Sequence, residues 1–204
     1  MNAEINHIVF DIGNVLIRWD PELAFLEQIP DQNERTWFLE NVCSMDWNLE
    51  QDRGRSWVDA EELLIRQFPE HAVNIRTYRK NWPMMIYSEI SDSVAILKSL
   101  LANDHDVTML TNFACDTLEI ARAKYDFLNL SRGVTVSGDV KLLKPDVEIY
   151  RHHAKTFDLA PANTLFIDDS EKNVTGAKKA GWHSVQFLNA KTLKADLERF
   201  RVDH

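Results

Sequence analysis

The 204 residues carry a formal net charge of −9 and are 45% apolar, which is globular composition with enough chain to bury a proper core. The excess of acid argues against a general nucleic-acid surface, which needs clustered Lys and Arg, and leaves small anionic ligands met by a local positive site. No apolar run reaches the roughly 18 residues of a membrane span. The opening MNAEINHIVFDIGNVL has no basic start and its apolar stretch is broken by Asp11, so it reads as a cytoplasmic chain rather than a secretory one. Cys43 and Cys115 lie far apart without CxxC spacing and read as buried free thiols.

Five short β-type runs follow one another along the chain: INHIVF, DVTMLT, GVTVS, TLFID and HSVQF. Each precedes a helical stretch, expected over 92–102, 115–125, 146–158, 171–180 and 191–200. This alternation predicts an α/β fold, a Rossmann-like parallel five-stranded sheet with helices on both faces. Pro145 stands at one helix entrance, and Ser170 is placed to cap another. About 90 residues separate the first strand from the second, where a dozen or two suffice, so something is inserted there. Residues 18–85 lack strand runs and carry PELAFLEQI, ERTWFLENV, SWVDAEELLIRQF and AVNIRTYRKNW, each with apolar side chains at helical spacing. They are expected to form a small helical domain between 1–17 and 86–204. Ser56 and Asp59 have capping-box spacing for a helix from Trp57 to Phe68.

In open parallel sheets ligands bind beyond the carboxyl ends of the strands. Those ends carry Asp11, then Thr111 and Asn112, then the pair Asp168 and Asp169, with Lys144 before Pro145 after the third strand. A strand-end Asp or a Thr-Asn pair is ordinary turn chemistry, and a lone Lys is usually a solvated charge. Adjacent acids say more, because they repel unless a cation or a proton offsets them.

In order, VFDIGNVL, MLTN, KLLKPD and FIDDSEKN resemble the haloacid dehalogenase-like hydrolases across nearly the whole chain. The first motif, D-x-G-N-V, is similar to that of a helical-cap subgroup which includes sugar-phosphate phosphatases, among them alpha-glucose-1-phosphate phosphatases. The resemblance implies a Rossmann-like core with the insertion as a cap. It also implies a Mg²⁺-dependent phosphatase of a small phosphorylated metabolite, a monomer or homodimer that binds neither nucleic acid nor membrane. On that reading Asp11 is the nucleophile and is itself phosphorylated. The carbonyl of Gly13, Asp169 and Asp168 join Asp11 around the metal. Thr111 donates its hydroxyl to the phosphoryl group, Asn112 or its amide assists, Lys144 neutralises charge, and Asn173 fixes the acidic loop.

One departure has chemical weight. The usual phosphatase of the family has a second Asp two residues after the nucleophile as general acid and base, and here that position is Gly13. Loss of such a group costs about 10²–10⁴ in rate, most for poor leaving groups. Anomeric sugar phosphates, acyl phosphates and aryl phosphates are therefore expected to be preferred. Asp20 is either a substitute acid or the N-cap ahead of Pro21. Trp37, Trp57 and Trp82 read as packing, while Trp47 and Trp19, in less regular segments, are candidates to face the substrate. EQDRGRS, with Arg53 and Arg55 around Gly54, reads as a mobile loop reaching substrate oxygens or as a solvated turn. No His has metal-binding spacing. A 2-haloacid dehalogenase would also use Asp11, but typically carries a Ser-Ser-Asn type loop where this chain has FIDDS. A catalytically weak binding protein is the other alternative, motivated by Gly13.

Overall fold

A computed structural model describes residues 4–204. The chain begins with β1 (His7–Phe10) and β2 (Ile17–Trp19), a 3₁₀ turn at Pro21–Ala24, and α1 (Gln32–Asn41), α2 (Met45–Asp52), α3 (Trp57–Gln67), α4 (Ala72–Lys80) and α5 (Trp82–Met85). It continues through β3 (Ile86–Glu89), α6 (Ser91–Ala102), β4 (Asp106–Thr111), α7 (Cys115–Lys124), β5 (Val134–Val136) and α8 (Ser137–Val140). It closes with α9 (Val147–Phe157), β6 (Thr164–Asp168), α10 (Glu171–Lys179), β7 (His183–Gln186) and α11 (Ala190–Arg199).

The five expected strands form one parallel sheet in the order β5-β4-β1-β6-β7. The central strand β1 is buried at all four positions, as a parallel strand covered on both faces must be. Its side chains alternate. Ile8 and Phe10 enter the larger core with Leu97, Leu118 and Leu193, while Val9 meets Ile149, Tyr150, Phe166 and Ala177 on the other face. From β1 the chain moves to β4 and β5 on one side, then returns to β6 and β7 on the other. The crevice where that direction reverses lies beyond the end of β1.

The insertion is helical, with three corrections. PELAFLEQI makes only the short 3₁₀ turn. Its first residues are held by Asp20, whose carboxylate accepts from the Glu22 amide, so the structure assigns Asp20 the capping role. The segment around Trp47 is regular helix α2, capped by Ser44. Third, residues 17–19 and 86–89 pair as an antiparallel ribbon where the chain leaves and re-enters the sheet domain, so strand structure extends past the expected edge at residue 18. Phe38, Leu64, Ile75, Tyr78, Trp82 and Met85 of the insertion belong to the same apolar cluster as β1 and β4.

Candidate active site

The turn after β1 presents Asp11. Its amide donates to Ile167 O at 2.9 Å, which ties the strand end to β6. The carbonyl of Ile12 then takes the amides of Leu16 and Ile17, and Asn14 adopts φ 53° with its amide on Ile17 O. A left-handed residue is one that Asn tolerates well. These bonds use the carbonyl of Ile12 and the amide of Asn14, so among the described residues the Gly13 carbonyl has no backbone donor.

Lys144 sits between two acids, with Nζ 2.8 Å from Asp11 Oδ1 and 2.6 Å from Asp168 Oδ2, and all three side chains are nearly or wholly buried. Burial pulls the ammonium down, but Asp11 and Asp168 reverse this and leave its pKa above 10.5. Asn112 fixes the lysine backbone by donating Nδ2–H to Lys144 O at 3.0 Å and accepting Lys144 N–H at 2.9 Å. The Asn112 side chain thus helps to place Lys144. Thr111, at the end of β4, has a hydroxyl that no described protein group engages.

Asp168 is held by three donors. It accepts from Lys144, from the Ser170 amide at 2.8 Å, and from Asn173 Nδ2 at 3.0 and 3.1 Å to its two oxygens. Asn173 thus ties α10 to the Asp168 carboxylate. Ser170 occupies the N-cap of α10 but makes no side-chain cap bond; its amide donates to the Asp168 carboxylate. Asp169 stays half-exposed, its carboxyl raised first by burial and then by Asp168.

One carboxylate oxygen from each of Asp11, Asp168 and Asp169 lies within 4.8 Å of the others. Three acids against one lysine leave an excess of negative charge. Burial first and then the two neighbouring acids raise the Asp11 carboxyl, against the pull of Lys144, to about 7. An excess of hard oxygen donors with no matching positive charge fits a divalent cation such as Mg²⁺.

Trp47 packs edge-on to Trp57 and Tyr78, with ring centroids 5.9 and 5.2 Å away. Trp19 lies in β2, half-buried against the core. Arg53 ends α2 on the surface, 3.7 Å from Glu50. EQDRGRS is not a free loop: Gln51 is fully buried, its amide donates to Trp47 O, and Arg55 bonds Gln51 Oε1 at 2.7 Å and Trp47 O at 3.1 Å. Cys43 is buried but Cys115 is exposed, its thiol donating to Asp139 at 2.9 Å. Sequence reasoning passed over Ser137 and Asp52, which join the insertion to the loop after β4.

A parallel sheet with a strand-end aspartate, a buried lysine and an acidic pair at the switch point sets a cluster of charged groups where open α/β sheets bind their ligands. A sequence model of the haloacid dehalogenase-like hydrolases matches residues 5–181, and the chain belongs to that family. It is 25% identical to a sesquiterpene phosphatase of Aspergillus oryzae over 179 residues, 85% of each chain. It is 24% identical to a drimenol cyclase of Aspergillus calidoustus over 186 residues, spanning 90% of this chain but about a third (34%) of that protein. Among solved structures, a HAD-like family hydrolase of Porphyromonas gingivalis superposes with TM-score 0.74 at 20% identity, covering 99% of this chain and 100% of that one. A HAD family enzyme of Bacteroides thetaiotaomicron, solved with magnesium and inorganic phosphate, gives 0.71 at 22% identity over 89% and 93% of the two chains.

Proposed function

We propose that this hydrolase is a Mg²⁺-dependent phosphatase of a small phosphorylated metabolite, with Asp11 as nucleophile and the helical insertion, residues 18–85, as its cap. The observation that carries the reading is the buried Asp11–Lys144–Asp168 arrangement with Asp169 beside it, one lysine among three carboxylates. The phosphatase relative in Aspergillus oryzae and the neighbour solved with magnesium and phosphate agree with it. A metal-free dehalogenase would have no use for the acidic pair.

Asp11, Asp168, Asp169 and the Gly13 carbonyl would hold the ion. Bound there, Mg²⁺ supplies the positive charge that lets a carboxylate approach a phosphate dianion. An Asp11 oxygen attacks phosphorus in line, the bond to the leaving oxygen breaks, and an aspartyl phosphate forms. Lys144 offsets charge on Asp11 and the phosphoryl oxygens, and the Thr111 hydroxyl and Asn112 amide donate to those oxygens. Water then attacks phosphorus, returning Asp11 and releasing inorganic phosphate.

Gly13 offers no proton to the departing oxygen, so substrates whose leaving group departs as a stable anion are favoured. Anomeric sugar phosphates, acyl phosphates and aryl phosphates belong to that class. A phosphate-ester panel with and without Mg²⁺ tests the function. Turnover of at least one ester is expected, abolished by chelation and by Asp11→Asn, with rates that fall as leaving-group pKa rises. Chelator-resistant halide release from 2-halo acids would overturn the reading, and a flat leaving-group dependence would remove the substrate class.

A further inference from the structure

The loop carrying Thr111 and Asn112 meets the insertion where Phe113 packs on Trp82 and where the Ser137 hydroxyl bridges the two by hydrogen bonds. Ser137, fully buried at the start of α8, accepts the Phe113 amide at 2.9 Å and donates to the carbonyl of Asp52 at 2.5 Å. A serine hydroxyl has one proton and free lone pairs, so both bonds form at once. Phe113 follows Asn112 directly, and Asp52 is the last residue of α2.

Neighbouring contacts converge on the same seam. The Gly138 amide donates to Phe113 O at 3.1 Å. Two residues beyond Asp52, a Cβ on Gly54 would stand 2.7 Å from Gly138 O, so only a glycine lets the chains approach this closely. Gly54 also adopts φ +100°, where side chains are strained. The Asp52 carboxylate accepts from Asn48 Nδ2 at 3.0 Å, and Asn48 in turn accepts from the buried Tyr78 hydroxyl at 3.0 Å. The seam therefore runs from the interior of the insertion to the strand end beside Asp11.

We propose that Ser137 is a positioning residue for phosphoryl binding, its hydroxyl coupling closure of the insertion at Asp52 to the backbone of the Thr111–Asn112–Phe113 loop. The coupling rests on the phosphatase reading, since the bound group is taken to be a phosphoryl. It is reciprocal: an insertion docked on Ser137 favours the phosphate-ready loop, and bound phosphate favours the docked insertion. No contact between Ser137 and substrate is required.

The test uses the full-length protein with Mg²⁺, inorganic phosphate as ligand and p-nitrophenyl phosphate as substrate. Ser137→Ala breaks the link from the sheet side, and Gly54→Ala pushes the insertion off Gly138 from the other. Each is expected to raise KM and the phosphate Kd about tenfold, within the usual range of coupling between sites, with kcat changed less than about threefold. Because both break one event, the double variant should also show about tenfold rather than the roughly hundredfold of independent sites. Ser137→Thr, which keeps the hydroxyl, should restore KM to within about threefold of wild type, a rescue that loss of packing alone would not give. Folded Ser137→Ala or Gly54→Ala with unchanged KM and Kd overturns the inference, as does a multiplicative double variant. If Ser137→Ala does not fold, Gly54→Ala alone decides by the same KM and Kd. A wild type that neither binds phosphate nor cleaves any ester overturns the phosphatase reading itself, an outcome distinct from normal wild-type binding with unaffected variants.

Discussion

A Cβ placed on Gly13 would meet nothing within 4 Å. The position two residues after Asp11 thus carries no side-chain chemistry and is open in space. Gly13 has no positive φ, so a side chain there meets neither steric nor backbone resistance. Gly13→Asp should fold normally and supply the missing proton donor. Its expected effect is selective: kcat/KM on an alkyl phosphate rises, by up to about 10²–10⁴, while an aryl phosphate of low leaving-group pKa changes little. Steady-state kinetics on the two esters measure this. An equal gain or loss on both would show that proton transfer to the leaving group is not what position 13 lacks. Asp20, the other acid near the start of the insertion, accepts the Glu22 amide on Oδ1 and caps the turn that follows it.

At the scale of elements, the placement of the lysine depends on the packing of helix α10. A Cβ on Gly176 of α10 would lie 2.4 Å from Pro145 O and 3.0 Å from Pro145 Cβ, so α10 packs directly on the segment that follows Lys144. Gly176→Ala must displace either the helix or Lys144–Pro145. Overpacking of this kind costs about 1–3 kcal/mol, read as a lower urea midpoint. Displacement of the lysine should also lower kcat/KM at least about tenfold at temperatures where the variant is fully folded; a stability loss with normal kinetics would place the shift in the helix instead. The sheet that presents these residues was legible because DVTMLT and TLFID are short runs rich in β-branched and large apolar residues, each ending in a polar residue. The β2–β3 ribbon was not, since strands of three and four residues pair only with each other and leave no period to read. Helix α2 was missed for a different reason. Its buried Asn48 and Gln51 are polar, satisfied by Tyr78, Trp47 and Arg55, and so erase the apolar stripe. Ser137 looks like an ordinary strand-end serine, and its partner lies 85 residues away on a backbone atom.

Across the whole molecule, a buried hydrogen-bond chain crosses the sheet from β1 through β4 to β5 and α9. His7 Nδ1 faces Asp106 Oδ2 at 2.8 Å, His7 Nε2 meets Thr108 Oγ1 at 2.9 Å, Thr108 Oγ1 meets His153 Nε2 at 2.8 Å, and His153 Nδ1 meets Thr135 Oγ1 at 2.8 Å. The carboxylate only accepts, so a neutral His7 carries its proton on Nδ1 and takes the Thr108 hydroxyl proton on Nε2. Thr108 must then accept from His153 Nε2–H, and His153 Nδ1 accepts from Thr135. Every proton is assigned, and a further one on His153 would point a donor at Thr135 while burying a charge. Burial first, then the neighbouring His7, His152 and Arg132, lowers His153 from 6.5 to about 3. The sign of the linkage follows. Above about pH 6.5 both folded and unfolded chains hold this imidazole neutral, and it contributes no pH dependence. Between about 6.5 and 3 the unfolded chain binds a proton that the folded one refuses, so stability falls with pH by up to about 1.4 kcal/mol per unit. Asp52, raised by burial to about 7, acts in the opposite sense below that pH, because its folded carboxyl takes up a proton before the unfolded one does. The histidine term is therefore read as a difference. Urea midpoints from pH 7.5 to 4.5 should decline more steeply for wild type than for His153→Gln, which keeps an amide hydrogen-bonding group but cannot titrate. Equal slopes would mean that the sheet admits a charged His153, and the single-proton ordering of the chain would be wrong.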